Sequence, residues 1–153
     1  MTYKLEIYKA VKQILQTNTT MRGLLNNQPI EVWYRYAKPK TKFPYIVLDI
    51  NREETTLNGS VNKATLFIDV WDIEETGIRA EKIAVLLQQL LHNRRISDVD
   101  LVECRIWHDY TVNLPVEKKD GAVDYRLHRL EVIFNLRLCA KSKDLAVYDP
   151  DSI

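Results

Sequence analysis

A chain of 153 residues with 46% hydrophobic and 28% charged side chains is long enough to bury roughly 68–70% of the surface its unfolded form exposes, so folding requires neither a disulfide nor a metal. This composition excludes a disordered segment, a collagen and a coiled-coil array. With 22 basic and 21 acidic residues the formal net charge is +1, which argues against a protein whose main task is gripping phosphate, because that task concentrates a basic excess. The expected organisation is one domain over residues 1–140 with an acidic tail over 141–153.

The N-terminus, Met1 to Glu6, alternates polar and apolar residues and has no signal-peptide core. Apolar runs elsewhere are broken by Lys, Asp or Gln, well short of the ~20 residues of a membrane span. A soluble, cytoplasmic protein without a membrane partner is the expectation. Cys104 and Cys139 sit in strand-like apolar stretches and read as reduced, small hydrophobes.

From Tyr3, the residues Ile7, Ala10, Val11, Ile14 and Leu15 recur at helical spacing, with Thr2 placed to cap the helix and Thr17-Asn18 to end it. An apolar patch from Met21 to Leu25 then runs into the turn cluster Asn26 to Pro29. Ile30 to Tyr36 is rich in β-branched and aromatic residues and predicts a strand. Pro39 and Pro44 bracket a polar loop carrying Lys38, Lys40 and Lys42, and Tyr45 to Asn51 is the next strand.

Asn58-Gly59 is the strongest hairpin signal in the chain, since a type I′ turn needs positive φ at both central residues. After it, Ala64, Leu66, Ile68 and Val70 share one face, with Lys63, Thr65, Phe67, Asp69 and Trp71 on the other. Thr76 and Gly77 open a second helix with the apolar stripe Ala80, Ile83, Ala84, Leu87, Leu90 and Leu91. His92, Arg94 and Arg95 fall at its C-terminal end, where cations suit the helix dipole.

Two longer strands close the pattern, Leu101 to Val112 and Tyr125 to Leu138. In the second, Leu130, Val132, Phe134, Leu136 and Leu138 alternate with polar residues, as in an antiparallel sheet with one wet face. The intervening segment, Asn113 to Asp124, is long for a hairpin connection and suits a functional loop. The order α-β-β-β-α-β-β predicts an α+β fold: an antiparallel sheet with two amphipathic helices packed on one face.

Signatures of catalysis are sparse. Gly23, Gly59, Gly77 and Gly121 are the only glycines, too few and too scattered for a phosphate-binding loop or a dinucleotide fingerprint. No serine sits in a Gly-x-Ser-x-Gly elbow. Cys104 and His108 share a strand face with His128 as a conceivable third zinc ligand, but that face also carries Val102, Ile106, Tyr110 and Val112 and reads as core. Glu53, Glu54, Asp69, Asp72, Glu74 and Glu75 crowd one hairpin, and such residues at strand ends and before a helix are ordinarily solvated or dipole-paired. No catalytic, cofactor-binding or metal-ligating residue is therefore assigned. A metal-dependent enzyme built on Asp69 and Asp72, with His108, and a cytoplasmic adaptor lending a sheet edge to a peptide remain as alternatives.

An interface fits these residues better. Trp33, Tyr34, Tyr36, Tyr45, Phe67, Trp71, Trp107 and Tyr110 crowd the strands, and alternation prevents all of them from facing inward. Charge is segregated between the loop Lys38, Lys40, Lys42 and the flank Glu53, Glu54, which could meet across subunits of a head-to-tail ring. The candidate contact residues are these five with Phe67, Trp71 and the loop residues Glu117, Lys118, Lys119 and Asp120.

Four segments carry a family resemblance: the first helix ending in Met21-Arg22-Gly23-Leu24-Leu25; Phe43-Pro44-Tyr45-Ile46-Val47-Leu48; Phe67-Ile68-Asp69-Val70-Trp71-Asp72 followed by Gly77 and Ala80 to Ala84; and Asp120-Gly121 before Tyr125-Arg126-Leu127-His128. In order and spacing, over residues 3–138, the chain resembles the tail completion, or head-to-tail joining, proteins of long-tailed bacteriophages and prophages, which are related in fold to the phage lambda tail terminator. The resemblance implies a non-enzymatic structural subunit without a cofactor. It would form a ring, commonly a hexamer, at the head-proximal end of the tail tube, with the tail tube and head–tail connector proteins as partners and no sequence-specific nucleic acid. Its implied location is the bacterial host cytoplasm during assembly and the head–tail junction of the virion afterwards. The Lys-rich loop before Pro44 and the acidic tail after Ala140 depart from the family pattern.

Overall fold

The computed structural model describes residues 3–55, 61–96, 102–116 and 126–140. Helix α1, Tyr3–Thr17, buries Ile7, Ala10, Val11 and Leu15 along the predicted stripe. The patch after it forms a short helix, α2, Thr19–Gly23. Asn18 caps α2 by accepting the Met21 amide on its side-chain oxygen at 2.9 Å, the ordinary way to satisfy an orphan amide. Asn26 and Asn27 then take positive φ of 53° and 66° and turn the chain, a conformation that asparagine tolerates better than most residues.

Six strands follow: β1, Glu31–Tyr34; β2, Tyr45–Thr55; β3, Val61–Ile73; β4, Arg94–Ile96; β5, Val102–Leu114; β6, Leu127–Ala140. Helix α3, Ile78–Leu91, lies between β3 and β4 in the chain. The sheet order is β1-β2-β3-β6-β5-β4. The α+β class stands, with two refinements. The edge strand β1 runs parallel to β2, whereas every other pair is antiparallel. Arg94 and Arg95, expected at the C-terminal end of the second helix, belong instead to a short strand, Arg94–Ile96, paired with β5. Asn93 takes φ of 59° and releases the chain from the helix.

One face of the sheet is the core. Ile46, Leu48 and Ile50 of β2, Ala64 to Val70 of β3, Cys104 and Ile106 of β5, and Leu130 to Leu138 of β6 alternate inward, against Ile7, Val11 and Leu15 of α1 and Ile83, Leu87 and Leu91 of α3. Leu90, expected in the α3 stripe, is half-buried, and Leu86 is buried in addition. A bulge between His108 and Tyr110 corrects the expected core side of β5: Ile106 faces the helices, but Tyr110 pairs with Ile133 and Val112 with Glu131, both on the opposite face. One extra residue is enough to reverse the face of everything beyond it.

The β2–β3 register closes to Thr55↔Asn62, as a hairpin requires. The Asn58-Gly59 turn, the Thr2 cap, most of the loop before β6 and the tail 141–153 lie outside the described residues.

The entry to α3 is a small polar lock. Asp72, fully buried, accepts both Arg79 Nε and Nη2, at 2.8 and 2.7 Å. Glu74 Oε1 accepts the Arg79 amide at 2.6 Å and serves the helix terminus as expected, whereas Asp72, expected to be solvated or dipole-paired, is buried and neutralised by the Arg79 side chain. Between them Gly77 takes φ of 72°, and a Cβ there would stand 3.0 Å from the His128 ring. Gly77→Ala is expected to lower unfolding free energy by about 1–2 kcal/mol, because it forces a left-handed alanine into contact. Gly23→Ala, with nothing within 4 Å of an added Cβ, is expected to be near neutral. Paired urea titrations check this, and equal midpoints for the two variants would contradict it.

Candidate functional site

With the helices on one face, the other face of the sheet is left open, and its residues fall into bands running across the strands. The first band is Glu31, Tyr45, Trp71, Arg129 and Leu114; the second is Trp33, Val47, Asp69, Glu131 and Val112. Asp49, Phe67, Ile133 and Tyr110 form a third, and Asn51, Thr65, Asn135 and Trp107 a fourth. Phe67 and Trp71, two of the predicted contact residues, thus stand on the open face, half-buried among their neighbours.

The aromatic end of this face is a stack. Phe43 lies 5.2 Å from Tyr45, Tyr45 stacks on Trp71 at 6.2 Å, and the Arg129 guanidinium covers Trp71 at 5.0 Å. Burial raises the Tyr45 pKa above its ordinary value. An open hollow of about 520 Å³ lies beside this stack, lined by Tyr36, Lys38, Phe43, Tyr45, Trp71 and Arg129.

Arg129 also organises the acidic band. Its Nη2 donates to Asp69 Oδ2 at 2.6 Å and lies 3.9 Å from Glu131 Oε2, with the Asp69 and Glu131 side chains only 13% and 20% exposed. These two carboxyls are direct cross-strand partners. Burial first, then hydrogen bonding to Asp69 and the Asp69 charge, push the Glu131 pKa up to about 7, against the opposing pull of Arg129. Asp69 Oδ1 is buried and has no donor. A proton held on Glu131 supplies one, so the pair is best satisfied as one carboxyl and one carboxylate.

The predicted charge segregation has a geometric basis. Lys38, Lys40 and Lys42 are in the loop between β1 and β2, with Lys40 and Lys38 exposed and Lys38 5.4 Å over the Trp33 ring. Positive φ at Arg35 and Lys40 shapes this loop. Glu53 and Glu54 belong to the far end of β2, roughly 30 Å along the strand at about 3.3 Å per residue. That separation places the basic loop and the acidic flank out of reach of each other within one subunit. Glu117, Lys118, Lys119 and Asp120 lie outside the described residues.

The residues considered for chemistry are not brought together. Asp69 faces the open side with Arg129, and Asp72 faces inward with Arg79. Cys104 is buried and its thiol is pushed up to about 12, chiefly by burial. His108 takes an edge-on position against Phe134, with burial and His92 lowering its pKa. His128 pairs with Asp72, six residues along β6 from Phe134, about 20 Å away. Among the described residues, no group of three or more His, Cys, Asp or Glu could hold a metal ion, and no helix is long and apolar enough to cross a membrane.

No protein-family model and no curated protein matches this sequence. Solved structures do. A chain described as "Virion of native gene transfer agent (GTA) particle" is similar over 90% of this chain and 96% of its own, with a TM-score of 0.62 and 17% identity. A second solved structure is similar over 88% of this chain and 92% of its own, with a TM-score of 0.59 and 12% identity. At these identities the likeness establishes the fold.

A raised Glu131 pKa means that the folded state holds this proton more tightly than the unfolded chain. Its stabilising contribution is full below the unfolded value and is lost as pH rises through about 7. Glu131→Gln keeps a donor toward Asp69 at every pH. The melting temperature of Glu131→Gln relative to wild type is therefore expected to rise between pH 5 and pH 8, as followed by scanning calorimetry; a pH-independent difference would rule this out.

Proposed function

We propose that the protein is a non-enzymatic structural subunit of a phage, prophage or phage-like particle. It forms a ring, hexameric by the family resemblance, at the head-proximal end of the tail tube, where it completes the tail and joins it to the head. The observation that carries the reading is the near end-to-end likeness of the fold to a chain of a virion particle. The ordered motifs from Met21 to His128 support it independently. Tail tube and head–tail connector proteins are the partners this role requires, and the head–tail junction is its site of action.

The surface is consistent with ring closure. Basic and acidic contact candidates lie at opposite ends of β2, as a head-to-tail contact between identical subunits needs. Tyr36 is 79% and Tyr110 52% exposed, and aromatic residues are favoured anchors at interfaces. A net charge of +1 spares a closed ring the repulsion between highly charged copies.

Electron microscopy and light scattering of the protein with tail tubes are expected to reveal rings capping the tube end. A protein that stays monomeric and binds neither tubes nor connector would overturn the reading. Within it, the triple variant Lys38→Glu, Lys40→Glu, Lys42→Glu is expected to block ring formation, and adding Glu53→Lys and Glu54→Lys to the same chain to restore it. Rings that form equally well in the triple variant would remove this contact from the reading.

A further inference from the structure

One band of the open face is unlike the others. Arg95, Arg105, Arg137 and Lys63 stand directly opposite one another on β4, β5, β6 and β3. All four are exposed and turned away from the helices. Like charges placed directly opposite destabilise a sheet, so the Arg105–Arg137 pairing at the middle of the row is a place where an anion would stabilise the fold.

Acids border the row at its two ends: Glu54 of β2 is the cross-strand partner of Lys63, and Arg95 pairs with Glu103 at 2.6 Å, which leaves Arg105 and Arg137 as its cationic centre. Arg105 lies instead over the Trp107 ring at 6.0 Å. The neighbouring band of Asn51, Thr65, Asn135 and Trp107 is uncharged. An open depression of about 310 Å³ lies along the row, lined by Arg95, Arg105, Trp107 and Arg137 among others.

We infer that this row is a docking strip for the phosphate backbone of a nucleic-acid duplex, bound without regard to sequence. Four strands spaced about 4.8 Å apart make the strip about 14 Å long, close to the ~12 Å width of a major groove, so it reaches the phosphates on either side of one groove. Three of its four cations are arginines, whose planar forks bind phosphate bidentately. A sheet face laid against the backbone sends nothing into a groove, so it positions the duplex and reads no bases. A folded acidic protein would also seek aromatic anchors, and among the residues lining the depression Trp107 is the single aromatic one. The identity of the duplex as packaged genome rests on the proposed place in a particle; the chemistry of the strip does not.

The test is fluorescence anisotropy of the full chain with a short labelled DNA duplex of mixed sequence. Binding is expected with a salt slope of about −3, from roughly 0.9 per neutralised phosphate over three to four contacts. Arg105→Gln/Arg137→Gln is expected to lose at least about tenfold in affinity and about 2 in slope, with a melting temperature equal to or above that of wild type because like charges are removed. The single Arg137→Gln variant gives a smaller change in the same direction and stands in if the double variant does not fold. Lys38→Gln/Lys40→Gln/Lys42→Gln should bind DNA as wild type does.

No DNA binding at low salt would overturn the inference. So would affinity lost through the loop lysines rather than the arginine row, or stronger competition by polyglutamate than by unlabelled duplex, which would indicate an acidic protein as the partner. Light scattering of the same samples separates the two proposals. Rings without DNA affinity would remove only the docking strip, and DNA affinity without rings on tubes would remove only the ring.

Discussion

The ladder from Val61↔Cys139 to Ile73↔Leu127 joins β3 to β6 at the middle of the sheet, and side-chain alternation makes this one register decide which residues of both strands meet the helices. Ala64, Leu66, Ile68 and Val70 fall in phase with Leu130, Val132, Phe134, Leu136 and Leu138, and all nine are buried. A slip by one residue would turn both apolar sets to solvent and bring Lys63, Asp69, Arg129, Glu131 and Arg137 under α1 and α3. Burying that many charges would cost far more than the few kcal/mol by which domains are stable. The same register sets the bands of the open face, so packing and surface chemistry are two consequences of one pairing.

Placing both helices on one side leaves an uncommon amount of structure on the other. Ile133 and Thr65 stand on the open face yet are 4% exposed each, next to Phe67 in their ladders. Asp69 and Glu131 are similarly sheltered, so a carboxyl pair is partly desolvated with no helix above it. Large aromatic side chains, Phe67 and Trp71 among them, stand beside these residues on the same face.

How much of this was legible in the chain follows from the range of each interaction. Helices α1 and α3 and the alternation in β3 and β6 are local patterns, visible as the recurrence of Ile7, Val11 and Leu15 or of Leu130 to Leu138. The parallel direction of β1 is invisible locally, because its residues fit a parallel or an antiparallel neighbour equally well. Arg94 and Arg95 read as a helix end until Ile96 is seen paired with Cys104. The bulge at Asp109 is announced by nothing more than one strand-disfavoured residue in a strand-like run, and it alone moves Tyr110 and Val112 out of the expected core. Phe67 and Trp71 could be placed on the open face from period-2 spacing. The Asp69–Arg129–Glu131 cluster and the arginine row could not, since each depends on register between strands far apart in the chain.

Near-neutral net charge takes on a different meaning once the strands are aligned. Counted over the chain, 22 cations against 21 anions speak against a nucleic-acid protein. Laid out on the sheet, the charges are ordered: an acidic band held by Arg129 at one level and a row of exposed cations, bordered by Glu54 and Glu103, at another, with a band in which Asp49 pairs with Arg35 and an uncharged band between them. Electrostatic attraction to a polyanion depends on charge within about a Debye length, roughly 8–10 Å at physiological ionic strength, so the row acts on its own surroundings and is not cancelled by distant acids. A chain can therefore be near neutral overall and still present a positive strip on one face, because charge is felt over the Debye length rather than over the whole molecule.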